Sequence, residues 1–133
     1  MITGRCECGR IRYEIDGDIV DFSHCHCSQC RRLHGAAYAT FAGVARNEFR
    51  YVSGEADLKT YASSKDNYRV FCAECGSNIL VEPGSEPEVL YLCMGTVDGD
   101  PPRPPGYHAY AGSKAPWHEI TDALEQYETD PPE

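Results

Sequence analysis

No apolar run in the 133-residue chain approaches the roughly 20 residues that a membrane-spanning helix requires, so no membrane partner is expected. Cations are scarce. Twelve Lys and Arg stand against 21 Asp and Glu, and the net charge of −9 argues against nucleic-acid binding, which is driven by phosphate neutralisation. The first nine residues, Met-Ile-Thr-Gly-Arg-Cys-Glu-Cys-Gly, lack the apolar stretch and small-residue cleavage site of a secretory signal, which makes a reducing cytoplasm the expected location. Internal repeats and composition breaks are missing too. The length then points to a single domain over residues 1–127 with a polar tail, 128–133, and the chain is expected to fray from Gln126 onward.

Helical periodicity is nearly absent, and what replaces it is the pattern of short strands. Ile11, Tyr13 and Ile15 alternate with Arg12 and Glu14, and Gly17-Asp18 reads as a hairpin turn into residues 19–22. Residues 49–52, 58–61, 68–71, 78–81 and 89–92 are further runs rich in β-branched and aromatic types, bounded by Gly, Pro, Ser or Asp. The fold class expected is mainly β and antiparallel, with short strands and little helix. Helix is expected only over residues 28–34, capped by Ser28, and over 121–125. Residues 99–106 carry four prolines that cannot enter a ladder, and read as a stiff surface connector.

The residue in excess is cysteine, with eight in the chain. In a reducing compartment dense cysteine points to metal binding or catalysis rather than disulfides. Cys6-Glu-Cys8-Gly9 and Cys72-Ala-Glu-Cys75-Gly76 share one form: two cysteines, then a glycine free to make a tight turn, then a strand. Two such knuckles supply four thiolates, the donor set of a closed structural zinc site. Cys25, Cys27 and Cys30 form the third group, three donors within six residues. Three protein ligands describe an open site able to take up and deprotonate an incoming thiol. Equally, a fourth ligand from Cys93, His24, His26, His34 or His108 would close it. Cys93 itself, in the apolar run 89–94, reads as a small core hydrophobe. Arg31 and Arg32, next to Cys30 in an acidic chain, are the candidate partners for a carboxylate-bearing ligand; they could instead neutralise the thiolates or pair with surface acids.

The ordered set Gly4-x-Cys6-x-Cys8-Gly9 with Arg12-Tyr13, Cys25-His26-Cys27-x-x-Cys30-Arg31 with Gly35-Ala36, Phe71-Cys72-x-x-Cys75-Gly76, Gly95-Thr96-Val97-Asp98, His108 and Ala115-Pro116-Trp117 resembles the glutathione-dependent formaldehyde-activating enzyme family, which includes the centromere protein V domain. Cys93 is outside the family's seven motif cysteines. The resemblance implies a β-tent of two sheets pinned by zinc, with two zinc ions per chain. It further implies structural zinc at Cys6, Cys8, Cys72 and Cys75, and catalytic zinc at Cys25, Cys27 and Cys30. The reaction implied is that of a carbon-sulfur lyase, in which glutathione adds to formaldehyde to give S-(hydroxymethyl)glutathione. The partners are then a small-molecule thiol and an aldehyde, with Arg31 and Arg32 as candidate glutathione contacts. Two other functions fit the cysteines: a non-catalytic zinc module that binds a protein, and a redox-sensitive zinc site at Cys25, Cys27 and Cys30. The paired knuckles argue against an iron-sulfur cluster.

Overall fold

A computed structural model describes residues 1–132. The chain is mainly β. A three-stranded antiparallel sheet contains β1 (Ile2–Arg5), β2 (Arg12–Ile15) and β5 (Phe49–Ser53), with β2 in the middle. A larger sheet is built from β3 (Asp21–Cys25), β4 (Ala39–Ala45), β6 (Leu58–Ser64), β7 (Asn67–Cys72), β8 (Asn78–Pro83), β9 (Val89–Cys93), β10 (Tyr107–Ala109) and β11 (Glu125–Gln126). Its order is β11-β10-β3-β4-β9-β8-β7-β6. One short helix, α1 (Ser28–His34), follows β3. No helix of the described residues is long and apolar enough to cross a membrane.

The core lies between the sheets. Ile11, Tyr13 and Ile15 of the small-sheet region meet Ala42 and Val44 of β4, Ile79 and Leu80 of β8, and Leu90 and Leu92 of β9. Full burial of each larger aliphatic or aromatic side chain contributes about 1.5–3 kcal/mol. β4 is buried on both faces: Ala42 and Val44 face this core, while Ala39 and Phe41, one residue out of phase, join a second cluster with Cys30 and Cys93. β4 is therefore the wall between the core and a second, smaller chamber.

Three expectations are corrected. Residues 11–15 and 19–22 do not form a hairpin, because β2 and β3 belong to different sheets. The connector bonds elsewhere: Asp16 N–H donates to Glu48 O at 2.9 Å and Val20 N–H to Gly43 O at 2.9 Å. The antiparallel pairing expected of the sheets is present, and β10 is the exception, running parallel to both β3 and β11 after the long proline-rich connector. Residues 121–125 are not helical; the Asp122 carboxylate accepts the Leu124 N–H at 3.0 Å, a local bond that competes with helix, and β11 starts at Glu125. Finally, the chain past Gln126 is held: Tyr110 N–H donates to Thr129 O, Ala111 N–H to Tyr127 O, and Tyr127 N–H to His108 O. Glu133 lies outside the described residues.

Candidate functional site

Both knuckles fold alike. Cys6 N–H donates to Ile11 O at 3.1 Å and Gly9 N–H to Cys6 O at 3.2 Å; in the second knuckle Cys72 N–H donates to Ser77 O at 2.9 Å and Gly76 N–H to Cys72 O at 2.8 Å. Gly9 and Gly76 adopt φ of 80° and 78°, the left-handed region where glycine avoids the side-chain clash. The result is four sulfurs mutually within 4.8 Å, from Cys6, Cys8, Cys72 and Cys75. Cys6 and Cys8 are 3.5 Å apart and Cys8 and Cys72 3.8 Å. A tetrahedron of sulfurs about 2.3 Å from zinc has edges of about 3.8 Å, so the donor set fits that ion. Cys6 follows the last residue of β1 and Cys72 ends β7, so the cluster joins the two sheets.

The second cluster is local. Cys25 ends β3, Cys27 is the N-cap of α1, and Cys30 lies buried in its first turns. The cap expected of Ser28 is made one residue earlier, where Cys27 Sγ accepts the Cys30 N–H at 3.2 Å. Gly35, at φ 57°, ends the helix. The three sulfurs lie within 4.8 Å of one another. Hydrogen bonds from the Cys25 and Cys30 side chains push the Cys27 thiol down, helped by the Cys30 amide and the charge of Arg69. Cys25, on the donating side of those bonds, is raised. Three thiol donors this close together suit a soft cation such as zinc.

Among the described residues, no histidine joins this cluster, and neither does Cys93. Cys93 is buried beside Cys30, Ala39 and Phe41, and burial pushes its thiol up to about 12. His24 Nδ1 bonds Thr40 Oγ1 at 2.8 Å. His26 Nε2 bonds His108 Nδ1 at 2.7 Å, and His108 Nε2 bonds the Asp122 carboxylate at 3.0 Å. His108 holds the Asp122 carboxyl below its usual range, so His108 Nε2–H donates to Asp122, and the second ring nitrogen of His108 shares a hydrogen bond with His26. This chain ties residues near the C-terminus to the loop carrying Cys25 and Cys27.

Cys25, Cys27 and Cys30 line a cavity of about 420 Å³, within the range of small-molecule sites. Phe41 and Val81 give it apolar wall, and Gln29 and Arg69 a polar one. Arg69, on β7, donates to Gln29 Oε1 at 3.2 Å and to Cys30 Sγ at 3.5 Å. Arg31 and Arg32 do not line this cavity. They lie beyond Cys30 on α1, Arg32 exposed, and the cation that faces the sulfurs is Arg69. In sequence Arg69 is an ordinary alternating strand residue between Tyr68 and Val70, and only the register of β7 reveals where it points.

A family model for the glutathione-dependent formaldehyde-activating enzyme matches residues 1–113. A curated protein of Halomonas elongata, named "Putative glutathione-dependent formaldehyde-activating enzyme", is 28% identical over 127 residues, covering 90% of this chain and 81% of that protein. The crystal structure of a Rhodobacter sphaeroides protein is similar at a TM-score of 0.63 and 27% identity, covering 75% of this chain and 91% of that one.

Proposed function

Because the chain belongs to the glutathione-dependent formaldehyde-activating enzyme family, we propose that it joins the sulfur of glutathione, or a closely related thiol, to formaldehyde or another small aldehyde. The carbon–sulfur bond forms as the carbonyl π bond breaks, and the thiol proton ends on the former carbonyl oxygen. The product is an S-(hydroxymethyl) thiol, and the step needs neither oxidant nor reductant. This makes the protein a carbon-sulfur lyase in the synthetic direction.

The observation that carries the reading is the pairing of a three-sulfur cluster with a cavity large enough for a small molecule. Cys25, Cys27 and Cys30 are the residues that would hold a zinc ion there. Such an ion supplies a Lewis acid with a spare coordination position, which lowers the pKa of a bound thiol from its free value near 8.5. The protein's own residues do the rest. Phe41 and Val81 keep water from one side of the cavity, and Arg69 offers its guanidinium to a substrate carboxylate while its charge favours anionic sulfur. Cys6, Cys8, Cys72 and Cys75 are the residues that would hold a second zinc, in a closed, structural role. The reading also places the protein in the cytoplasm, where its thiols stay reduced.

Zinc-loaded protein mixed with glutathione and carbon-13 formaldehyde tests it. Magnetic resonance of the hydroxymethyl carbon is expected to show adduct forming at least about tenfold faster than without protein. Cys25→Ala, folded and carrying one zinc fewer, is expected to lose the acceleration. A rate equal to the background, with no heat on titrating glutathione, would leave a zinc module without catalysis.

A further inference from the structure

Resting on that thiol reading, we infer that the cavity selects its thiol by a protonated amine at the end opposite Arg69, with Asp21 and Tyr107 as the seat for the ammonium group. Strand register sets the geometry. Asp21 on β3, Gly43 on β4, Tyr91 on β9, Val81 on β8 and Arg69 on β7 stand in one row across the large sheet. Four of the five line the cavity, all but Gly43. With strands about 4.8 Å apart, the Cα atoms of Asp21 and Arg69 are separated by about 19 Å, a span the long arginine side chain shortens. Cys25 faces the same way as Asp21, two alternations along β3.

Charge divides along this row. Arg69, at one end of the row, is the cation of the cavity lining, whereas Asp21 stands at the other end and Glu86 and Asp130 are further carboxylates of the same lining. Each accepts from a tyrosine hydroxyl: Asp21 from Tyr107 at 3.1 Å, Glu86 from Tyr91 at 3.2 Å, Asp130 from Tyr110 at 3.1 Å. Among the described residues these three carboxylates accept side-chain hydrogen bonds from neutral hydroxyls alone, and none of them forms an ion pair. Asp21 is the one of the three that is not exposed, and burial raises its pKa. Its room depends on Gly43: a Cβ there would lie 2.8 Å from Asp21 Cβ and 3.5 Å from the Tyr91 ring. An under-solvated carboxylate facing a cavity gains most from a cationic partner. A tripeptide extends to about 10 Å. A thiol of that size, with a carboxylate at one end and an ammonium at the other, fits the polarity of the row; a purely anionic thiol meets the Asp21 carboxylate, which has no cationic partner among the described residues.

Calorimetry on the zinc-loaded protein with glutathione and N-acetylglutathione, which keeps the thiol and carboxylates but has no ammonium, tests the assignment. Glutathione is expected to bind about tenfold more tightly, and Asp21→Asn is expected to abolish the gap by weakening glutathione alone. Tyr107→Phe, which leaves the carboxylate, is expected to narrow the gap and serves if Asp21→Asn does not fold. Equal affinities in the unmodified protein, or a gap that survives Asp21→Asn, would overturn the ammonium seat while leaving the thiol reading intact. Failure of both ligands to bind would overturn the two together.

Discussion

The two sulfur clusters are made of the same donor type and answer to different parts of the fold. Cys6, Cys8, Cys72 and Cys75 come from segments more than 60 residues apart and join the small sheet to the large one. Cys25, Cys27 and Cys30 come from one strand end and one helical turn, inside a single sheet's connection. Four sulfurs fill a tetrahedron and leave no position for a ligand; three leave one, and that trio is the one that shares a cavity with Arg69. On the proposed reading, metal at the first cluster would be linked to folding and metal at the second to binding. Loop closure is the physical difference, because a metal clip removes more unfolded-state freedom when it spans a long stretch of chain.

Cys72→Ala gives the largest effect. It removes a fully buried sulfur and one of four donors, and structural zinc sites in small domains contribute most of the folding free energy. Against a total stability of about 5–15 kcal/mol, the variant is expected to be unfolded at 25 °C, with circular dichroism losing its strand signal and metal analysis showing little bound zinc. Cys25→Ala is expected to cost no more than about 2 kcal/mol and to remain folded with one zinc. Equal unfolding by the two variants would erase the distinction. Graded chelation sharpens it without mutation. The first zinc equivalent is expected to leave with the strand signal unchanged and glutathione binding lost, and the second with cooperative unfolding; release of both in one unfolding step would break the comparison.

The two knuckles and the third cysteine group were visible in the sequence because the spacing within each is local. Knuckles are written as Cys, Cys and Gly within four or five residues, and the third group within six, so no topology is needed to see them. The strands around residues 49–52, 58–61, 68–71, 78–81 and 89–92 were equally visible, since branched and aromatic residues sit between turn formers. β4 was not. Its sequence, Ala-Thr-Phe-Ala-Gly-Val-Ala, is mostly small residues with weak strand preference, and it is a strand because both its faces are covered. The paired faces of β4 are also what separate core from cavity. Arg69 and Asp21 stayed hidden for a related reason: their meeting around one cavity depends on four successive strand pairings, and no local pattern records that.

The arginines give the smallest contrast and test where the substrate's carboxylate is read. Arg69→Gln removes the cation beside Cys30 but keeps a polar side chain on β7. Glutathione affinity is expected to fall about tenfold, with the thermal midpoint changed by only a few degrees, because the lost bonds to Gln29 and Ser63 are partly solvated. Arg32→Ala is expected to change affinity less than about twofold, since an exposed charge outside the cavity acts across solvent and is screened by salt. Repeating both titrations at higher ionic strength separates the two roles. The Arg32 effect is expected to vanish and the Arg69 effect to persist. If Arg32→Ala proved as costly as Arg69→Gln at every salt concentration, the carboxylate would be read from the end of α1 rather than from β7, and the polarity assigned to the cavity row would fail with it.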